Sequence, residues 1–322
     1  MTDKIDCEIL KLAGLIGDRT KLSNSKTITG GLNSGIRLVE VGGSKYIIKT
    51  YPEDLTRQRL DTEFRFLVLM NKVGIQNVPK PIKKLSGLNV GVYSYLHGET
   101  IKTATDFNVS ASADFIIELN EKMAPFSNKL NFASDCFVSY ENLLESIGRR
   151  ILSLRGWAHL HSREYIHTVN EFYMVFQKIT DQNSTKAKEF NDNICQMNQV
   201  ISPSDFGLHN VLQDEVTVKF LDFEYAGNDN CLKLICDFYC QPRIPISNSQ
   251  FRGFVNKLNN RVLHVNNLLD VSAKFLPLFR LKWSCIILNQ INKVKDNNLV
   301  NRTSKNSQIE KSRAYLHQNL GN

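Results

Sequence analysis

Apolar residues along the chain follow two regimes. Between about residues 27 and 96 they fall in short runs broken by glycines, and from about 106 onward they recur at helical spacing. The first pattern predicts strands and the second helices. A short helix is expected over 5–17. Thr27 to Val41 and Lys45 to Thr50, interrupted by Gly30, Gly31 and Gly35 and then by Gly42-Gly43-Ser44, read as strand, turn, strand, turn, strand. That is an antiparallel meander. Pro52 to Asp54 break the last strand and supply the cap of a helix over 55–72, with Leu60, Glu63, Phe64 and Leu67 on one face. Residues 78–82 are a connector, and 90–96 form a further strand ended by His97-Gly98-Glu99.

The helical regime opens at 107–122, which places Val109, Ser112, Phe115, Ile116 and Leu119 on one stripe. Helices follow at 139–155, 163–179 and 184–199. Val211-Leu212 and Val216 to Leu221 flank the turn-like Gln213-Asp214-Glu215, so a β-hairpin interrupts the helices. Cys231 to Tyr239 and several later segments resume them. The mostly apolar Phe275 to Asn289 predicts a buried core helix, and the Asn/Lys/Ser-rich 292–309 a polar loop before a short terminal helix. The pattern shows no internal repeat. The fold class expected is α+β: residues 1–97 with the antiparallel sheet and one helix, and residues 98–322 as a larger, mainly helical part.

At 322 residues, with 42% hydrophobic and 22% charged positions, the chain suits one large or two medium soluble domains. It has no run of eighteen apolar residues, so no membrane span is expected. Its first residues lack a basic stretch followed by an apolar one, which argues against a secretory signal. The seven cysteines are scattered; Cys231, Cys236 and Cys240 cluster without the paired C-x2-C of a zinc site. They read as reduced thiols of a cytoplasmic protein. The net charge of +8 admits a nucleic-acid footprint or a basic surface that favours phosphate-bearing ligands. Lys and Arg are spread without a dense block, so the second is preferred. Arg149, Arg150, Arg155, His159, His161 and His167 read as a solvated basic face rather than a ligand site.

Candidate chemistry sits around the hairpin. Asp205 and Asn210 stand five residues apart, and the hairpin would return the chain so that Asp222 comes close to Asn210. One carboxylate to orient an acceptor hydroxyl, with two oxygen ligands for Mg²⁺, is the grouping that phosphoryl transfer from ATP needs. The Asp-x4-Asn spacing is that of the kinase catalytic loop, and Asp222-Phe223 stands where the kinase metal-binding Asp-Phe would. Glu63 falls on an apolar helix face, where an unpaired carboxylate is costly. Lys49, at the end of an apolar strand, is its candidate partner; a rim glutamate with a snorkelling lysine is the alternative. Gly30, Gly31, Asn33 and Ser34 would let backbone amides approach phosphates, or serve simply as tight turns. The backbone at Tyr95 and Leu96, between the sheet and the helices, would suit an adenine edge.

Taken in order, Thr29-Gly-Gly-Leu-Asn33, Tyr46-Ile-Ile-Lys49, Glu63, Ser204-Asp-Phe-Gly-Leu-His-Asn-Val-Leu212, Leu221-Asp-Phe-Glu-Tyr-Ala-Gly227 and Leu281-Lys-Trp283 to Asn289 resemble the aminoglycoside phosphotransferase and choline kinase-like superfamily. The resemblance implies a two-lobed protein-kinase-like fold, ATP as donor, Mg²⁺ as cofactor and a small-molecule hydroxyl acceptor. It also implies roles: Asp205 for the acceptor hydroxyl, Asn210 and Asp222 for the metal, Lys49 with Glu63 for the phosphates. Pro203-Ser204 stand where the family usually has His-Gly. A protein kinase is disfavoured because no Ala-Pro-Glu element lies between Asp222 and Asp237. A catalytically silent nucleotide-binding protein is disfavoured because Lys49, Asp205, Asn210 and Asp222 are all present.

Overall fold

The structure, a computed structural model, describes residues 2–17, 20, 22–28, 35–53, 58–293 and 299–318. In chain order it contains α1 (Thr2–Leu12), β1 (Asn24–Ile28), β2 (Gly35–Val41), β3 (Ser44–Thr50), α2 (Arg59–Lys72), β4 (Pro81–Leu85), β5 (Val90–Ser94), β6 (Glu99–Thr100) and α3 (Asp106–Met123). Then come α4 (Tyr140–Gly156), α5 (Arg163–Asn183), α6 (Ala187–Cys195), β7 (Gln199–Ser202), β8 (Val211–Gln213), β9 (Val218–Phe220) and β10 (Gly227–Asn230). Four helices close the chain: α7 (Cys231–Cys240), α8 (Asn248–Leu258), α9 (Leu268–Asn289) and α10 (Leu299–His317). These elements group into two compact units, neither of them continuous in sequence.

The first unit comprises Met1–Lys102, Phe115–Ser134 and Ile201–Asn228. Its main sheet has the order β1-β2-β3-β5-β4, with every neighbouring pair antiparallel. Gly42 and Gly43 close the β2–β3 hairpin with φ of 55° and 79°. Two successive positive φ values match the strand twist and are accessible to glycine without strain. The period-2 alternation then sorts the faces. Val39, Val41, Ile48, Val90 and Val92 pack against Ile9 and Leu10 of α1, each such burial contributing about 1.5–3 kcal/mol. Asp6 of α1, fully buried, accepts from Ser25 Oγ at 2.6 Å and from Arg37, tying the helix to β1 and β2. Lys49, Gly91 and Tyr93 belong to the other face, Lys49 lying opposite Gly91 in register.

A second, smaller sheet of β6, β8 and β9 contains the expected hairpin. Beneath it Phe115 stacks on Phe220 at 4.0 Å between ring centres, and Phe223 stacks on Phe66 at 5.6 Å. Asn120 of α3 holds the start of the candidate loop on both sides: its Nδ2 donates to Ile201 O at 3.0 Å, and Ile201 N donates to its Oδ1 at 2.8 Å.

The second unit comprises Thr103–Asp114, Asp135–Val200 and Asp229–Asn322. Its centre is α9, which extends the expected core helix at its start and is packed by α4, α5, α7 and α10. Every residue of α7 is buried, and two lysines are buried with it in compensated form. Lys233 donates to Asp229 at 2.8 Å, while Lys282 donates to both oxygens of Asp237 at 2.8 and 2.7 Å and Trp283 Nε1 adds a bond at 3.0 Å.

Several boundaries differ from expectation. The first helix stops at Leu12 rather than 17. The second begins at Arg59, because Gln58 has φ 42°, which no right-handed helix accommodates; Asp54 and its neighbours to 57 lie outside the described residues. The connector at 78–82 passes into β4, and β5 ends at Ser94, not 96. The segment expected as a polar loop over 292–309 is helical from Leu299 onward. Among its described side chains only Ile309 and Ser312 are buried, and Gln308 donates to Ile287 O at 2.9 Å. A stripe that narrow gives almost no apolar periodicity. Among the described residues no helix is long and apolar enough to cross a membrane, and all seven cysteines are free.

Candidate active site

Lys49 is the centre of the arrangement. It is the penultimate residue of β3, 6% exposed, with its ammonium 2.7 Å from Glu63 Oε2, 2.7 Å from Asp222 Oδ1 and 3.2 Å from Glu224 Oε2. The stripe of α2 formed by Leu60, Glu63, Leu67 and Met70 is buried, so Glu63 is carried inward by the same periodicity that buries its apolar neighbours. Glu63 is fully engaged. Its Oε2 also accepts from Tyr51 Oη at 2.6 Å, and its Oε1 accepts from Phe223 N at 3.2 Å. Tyr51 shares a further 2.7 Å hydrogen bond with Tyr93 Oη. Phe64, expected on the same face, is only half-buried and meets the Tyr93 ring at 6.2 Å.

Burial alone would lower the Lys49 pKa, but Asp222, Glu63 and Glu224 together outweigh it and hold the ammonium well above its ordinary value. Burial and the Glu63 carboxylate push the hydroxyls of Tyr51 and Tyr93 upward. Asp222 is pushed up to about 6 by desolvation, with Lys49 opposing and Glu63 and Glu224 adding to the rise.

The hairpin does return Asp222 to this cluster. Asn210 O accepts from Leu221 N at 2.9 Å, just past β9. The turn at Leu208–Asn210 also lets Asn210 Nδ2 donate to Asp205 O at 3.0 Å. Asp205, Asn210 and Asp222 are thus linked through consecutive backbone and amide bonds. Asp222 takes φ 66° and Ser204 takes φ 69°, left-handed values that are uncommon for residues other than glycine. Ser204 stands where the resembled family has glycine. Its amide donates to Ser202 Oγ at 2.9 Å and its hydroxyl to Ser134 O at 3.0 Å, which hold the backbone there. The Asp205 side chain is 33% exposed and lies 3.5 Å from His209 Nε2.

Three carboxylates, Glu63, Asp222 and Glu224, have oxygens within 4.8 Å of one another. Lys49 pairs with all three, and Arg59 lies 3.4 Å from Glu224. The Asp222 side chain remains 37% exposed, and donation from Asn210 Nδ2 leaves the amide oxygen as that residue's acceptor. Hard oxygen donors fit Mg²⁺, with Asp222 and Asn210 the residues that would hold it.

Of the remaining expected residues, Gly30, Gly31, Asn33 and Ser34 lie outside the described residues. Tyr95 and Leu96 are half-buried just past β5; the Tyr95 amide donates to Lys45 O at 3.4 Å and its ring meets His97 edge-on at 4.9 Å. The basic helical residues do not converge. Arg150 pairs with Asp135 and His161 with Asn292 at 2.6 Å, while Arg149, Arg155, His159 and His167 are exposed. Glu224, Tyr51 and Arg59 were assigned no role from sequence. Glu224 alone left a signal, as a second acidic residue at an apolar strand end.

The antiparallel sheet with α2 and the mainly helical second unit match the elements of a kinase-like fold. Residues 26–128 match the model of the Phosphotransferase enzyme family, a segment that holds Lys49 and Glu63 but stops short of Asp205. Choline kinase from Cryptosporidium parvum Iowa II shares the fold with TM-score 0.65 at 12% identity, over 97% of this chain and 94% of that one. Aminoglycoside phosphotransferase APH(2'')-Ib, ADP-bound, gives TM-score 0.61 at 12% identity over 98% and 99%. Spectinomycin phosphotransferase, in complex with ADP and spectinomycin, gives 0.60 at 12% over 97% and 98%. The family match bears out the resemblance over residues 26–128, and the solved structures bear out the kinase-like fold. No curated protein sequence matches the chain.

Proposed function

We propose that the protein is an ATP-dependent phosphotransferase that moves the γ-phosphoryl group to a hydroxyl of a small polar metabolite. One observation carries the reading. Lys49 lies 2.7 Å from both Glu63 and Asp222, which reach it from a helix and from a turn 173 residues away. That arrangement supports a lysine–glutamate pair for the phosphates with a metal-side aspartate beside it, as kinase-like phosphoryl transfer uses.

In this reading Lys49, fixed by Glu63, binds the phosphates, and Asn210 with Asp222 holds Mg²⁺. When bound there, Mg²⁺ neutralises charge on the β- and γ-phosphate oxygens. Asp205, partly open to solvent, orients the acceptor hydroxyl and takes its proton. The turn at Gly30, Gly31, Asn33 and Ser34 and the backbone at Tyr95 and Leu96 would add phosphate and adenine contacts. Residues 1–97 then carry most of the nucleotide contacts, and 98–322 the catalytic loop and the acceptor contacts. ADP-bound relatives support the nucleotide; relatives named for choline and for spectinomycin support a hydroxylated small molecule as acceptor. Free thiols throughout suit the reducing cytoplasm, where ATP is supplied.

The test separates the two aspartates. Calorimetric titration of MgATP into Asp205→Ala should give wild-type affinity within about twofold, while ADP release with a panel of hydroxylated metabolites falls about 10²–10⁴-fold. Asp222→Ala should lose the Mg²⁺-dependent part of nucleotide affinity as well as turnover. Equal affinity losses in both, or full turnover in either, would remove the assignment.

A further inference from the structure

His209 is not used by the mechanism above, yet its surroundings are specific. Its side chain is 7% exposed, and its Nε2 lies 3.5 Å from Asp205 Oδ1, four residues earlier. The turn at Leu208–Asn210, closed by Asn210 N donating to Gly207 O at 3.0 Å, sets that spacing. The other ring nitrogen, Nδ1, is buried without a hydrogen-bond partner. A buried imidazole with one polar contact gains little in packing over an apolar residue and bears the desolvation of its second nitrogen. Its tautomer follows from the same facts. With the proton on Nδ1, a buried N–H would be unpaired and the Nε2 lone pair would face a carboxylate. With the proton on Nε2, the ring donates to Asp205 and only a lone pair is left unmatched.

We propose that His209 is a positioning residue for Asp205: Nε2–H holds Oδ1 and so fixes the rotation of the carboxylate that faces the acceptor hydroxyl. This rests on the reading of Asp205 as the group that takes the hydroxyl proton. The separation is long for a hydrogen bond, as catalytic contacts often are before substrates bind.

Two measurements on the full-length protein test this. Nitrogen-15 imidazole spectra should show His209 protonated on Nε2 and bare on Nδ1, and Asp205→Ala should release that tautomer preference. ADP release from MgATP, with water as acceptor, should fall about 10–100-fold in His209→Ala without change in the KM for ATP, the scale of loss expected when a reacting group is misplaced. His209→Gln, whose Nε2 reaches as far as the histidine Nε2, should recover part of it; His209→Asn should not. An Nδ1–H tautomer in the wild type, or one unaltered by Asp205→Ala, overturns the proposal. So does wild-type turnover in His209→Ala beside an inactive Asp205→Ala, which leaves the proton-accepting role of Asp205 standing. Wild-type turnover in Asp205→Ala instead removes that role itself, and if the wild type releases no ADP the spectra alone decide.

Discussion

Desolvation raises the Asp222 carboxyl, with Lys49 opposing it and Glu63 and Glu224 adding to the rise. The Asp222 carboxyl has an ordinary value of 3.8 and is pushed up to about 6 in the folded protein. The folded state therefore binds that proton more tightly than the unfolded chain. Stability from this group is fully present below 3.8 and is lost as pH rises through about 6. Asp222→Asn, which does not ionise, should gain in urea midpoint relative to the wild type between about pH 4 and 7, measured without nucleotide. A constant difference over that window would mean that Asp222 titrates as an ordinary surface carboxyl. At this scale Lys49, Glu63 and Asp222 were legible in the sequence because each is a charge set in an apolar run, where the cost of burial demands a partner. Tyr51 and Arg59 were not legible. Their part comes from where a strand end and a helix start meet in space, which no periodicity encodes.

Elements were legible where the apolar pattern was wide and illegible where backbone conformation or a narrow contact decided. The β2–β3 hairpin and α9 followed their patterns. The start of α2 turned instead on one left-handed residue, and α10 on a face with few buried apolar side chains among those described. Glycines divide in the same way. At Gly227 an added Cβ would lie 2.8 Å from Ala133 N and closer still to Asn131 O, both backbone atoms. Gly253, in α8, has nothing within 4 Å of that position. Gly227→Ala should therefore lose about 3 kcal/mol or more by urea unfolding, since the neighbouring backbone has to shift. Gly253→Ala should gain about 0.5–1 kcal/mol from helix propensity alone. Similar effects from the two substitutions would contradict the close approach at Gly227.

Across the whole molecule the seven cysteines report on packing. Burial pushes the Cys231, Cys240 and Cys285 thiols up to about 12 and Cys136 to about 11, and it raises Cys236 well above its ordinary value. Cys195 is exposed. Iodoacetamide at mildly basic pH should modify Cys195 first in the native protein, because the thiolate is the reactive form. Cys231, Cys236, Cys240 and Cys285 should react only on unfolding, and mass spectrometry without reductant should then count seven modified thiols, the number in the chain. Rapid native labelling at Cys231 or Cys285 would mean that α7 and α9 are not packed as described. The α+β class and the order of sheet before helices were plain in the two regimes of apolar spacing. That Phe115–Ser134 and Ile201–Asn228 join the N-terminal sheet in one unit was not, because membership of a unit is a long-range property and the pattern is local.

That discontinuity has a consequence for how the protein is made. Glu63 and the Phe223 amide that donates to it are 160 residues apart, and Lys49 and Asp222 are 173 apart. At about 5–20 residues per second, a ribosome needs roughly ten to thirty seconds to deliver the second half of the cluster after the first. The five-stranded sheet can form in that interval, with Lys49 and Glu63 already paired across β3 and α2. The nascent sheet then precedes a hairpin not yet synthesised, and the charged cluster is complete only when residues 201–228 have arrived.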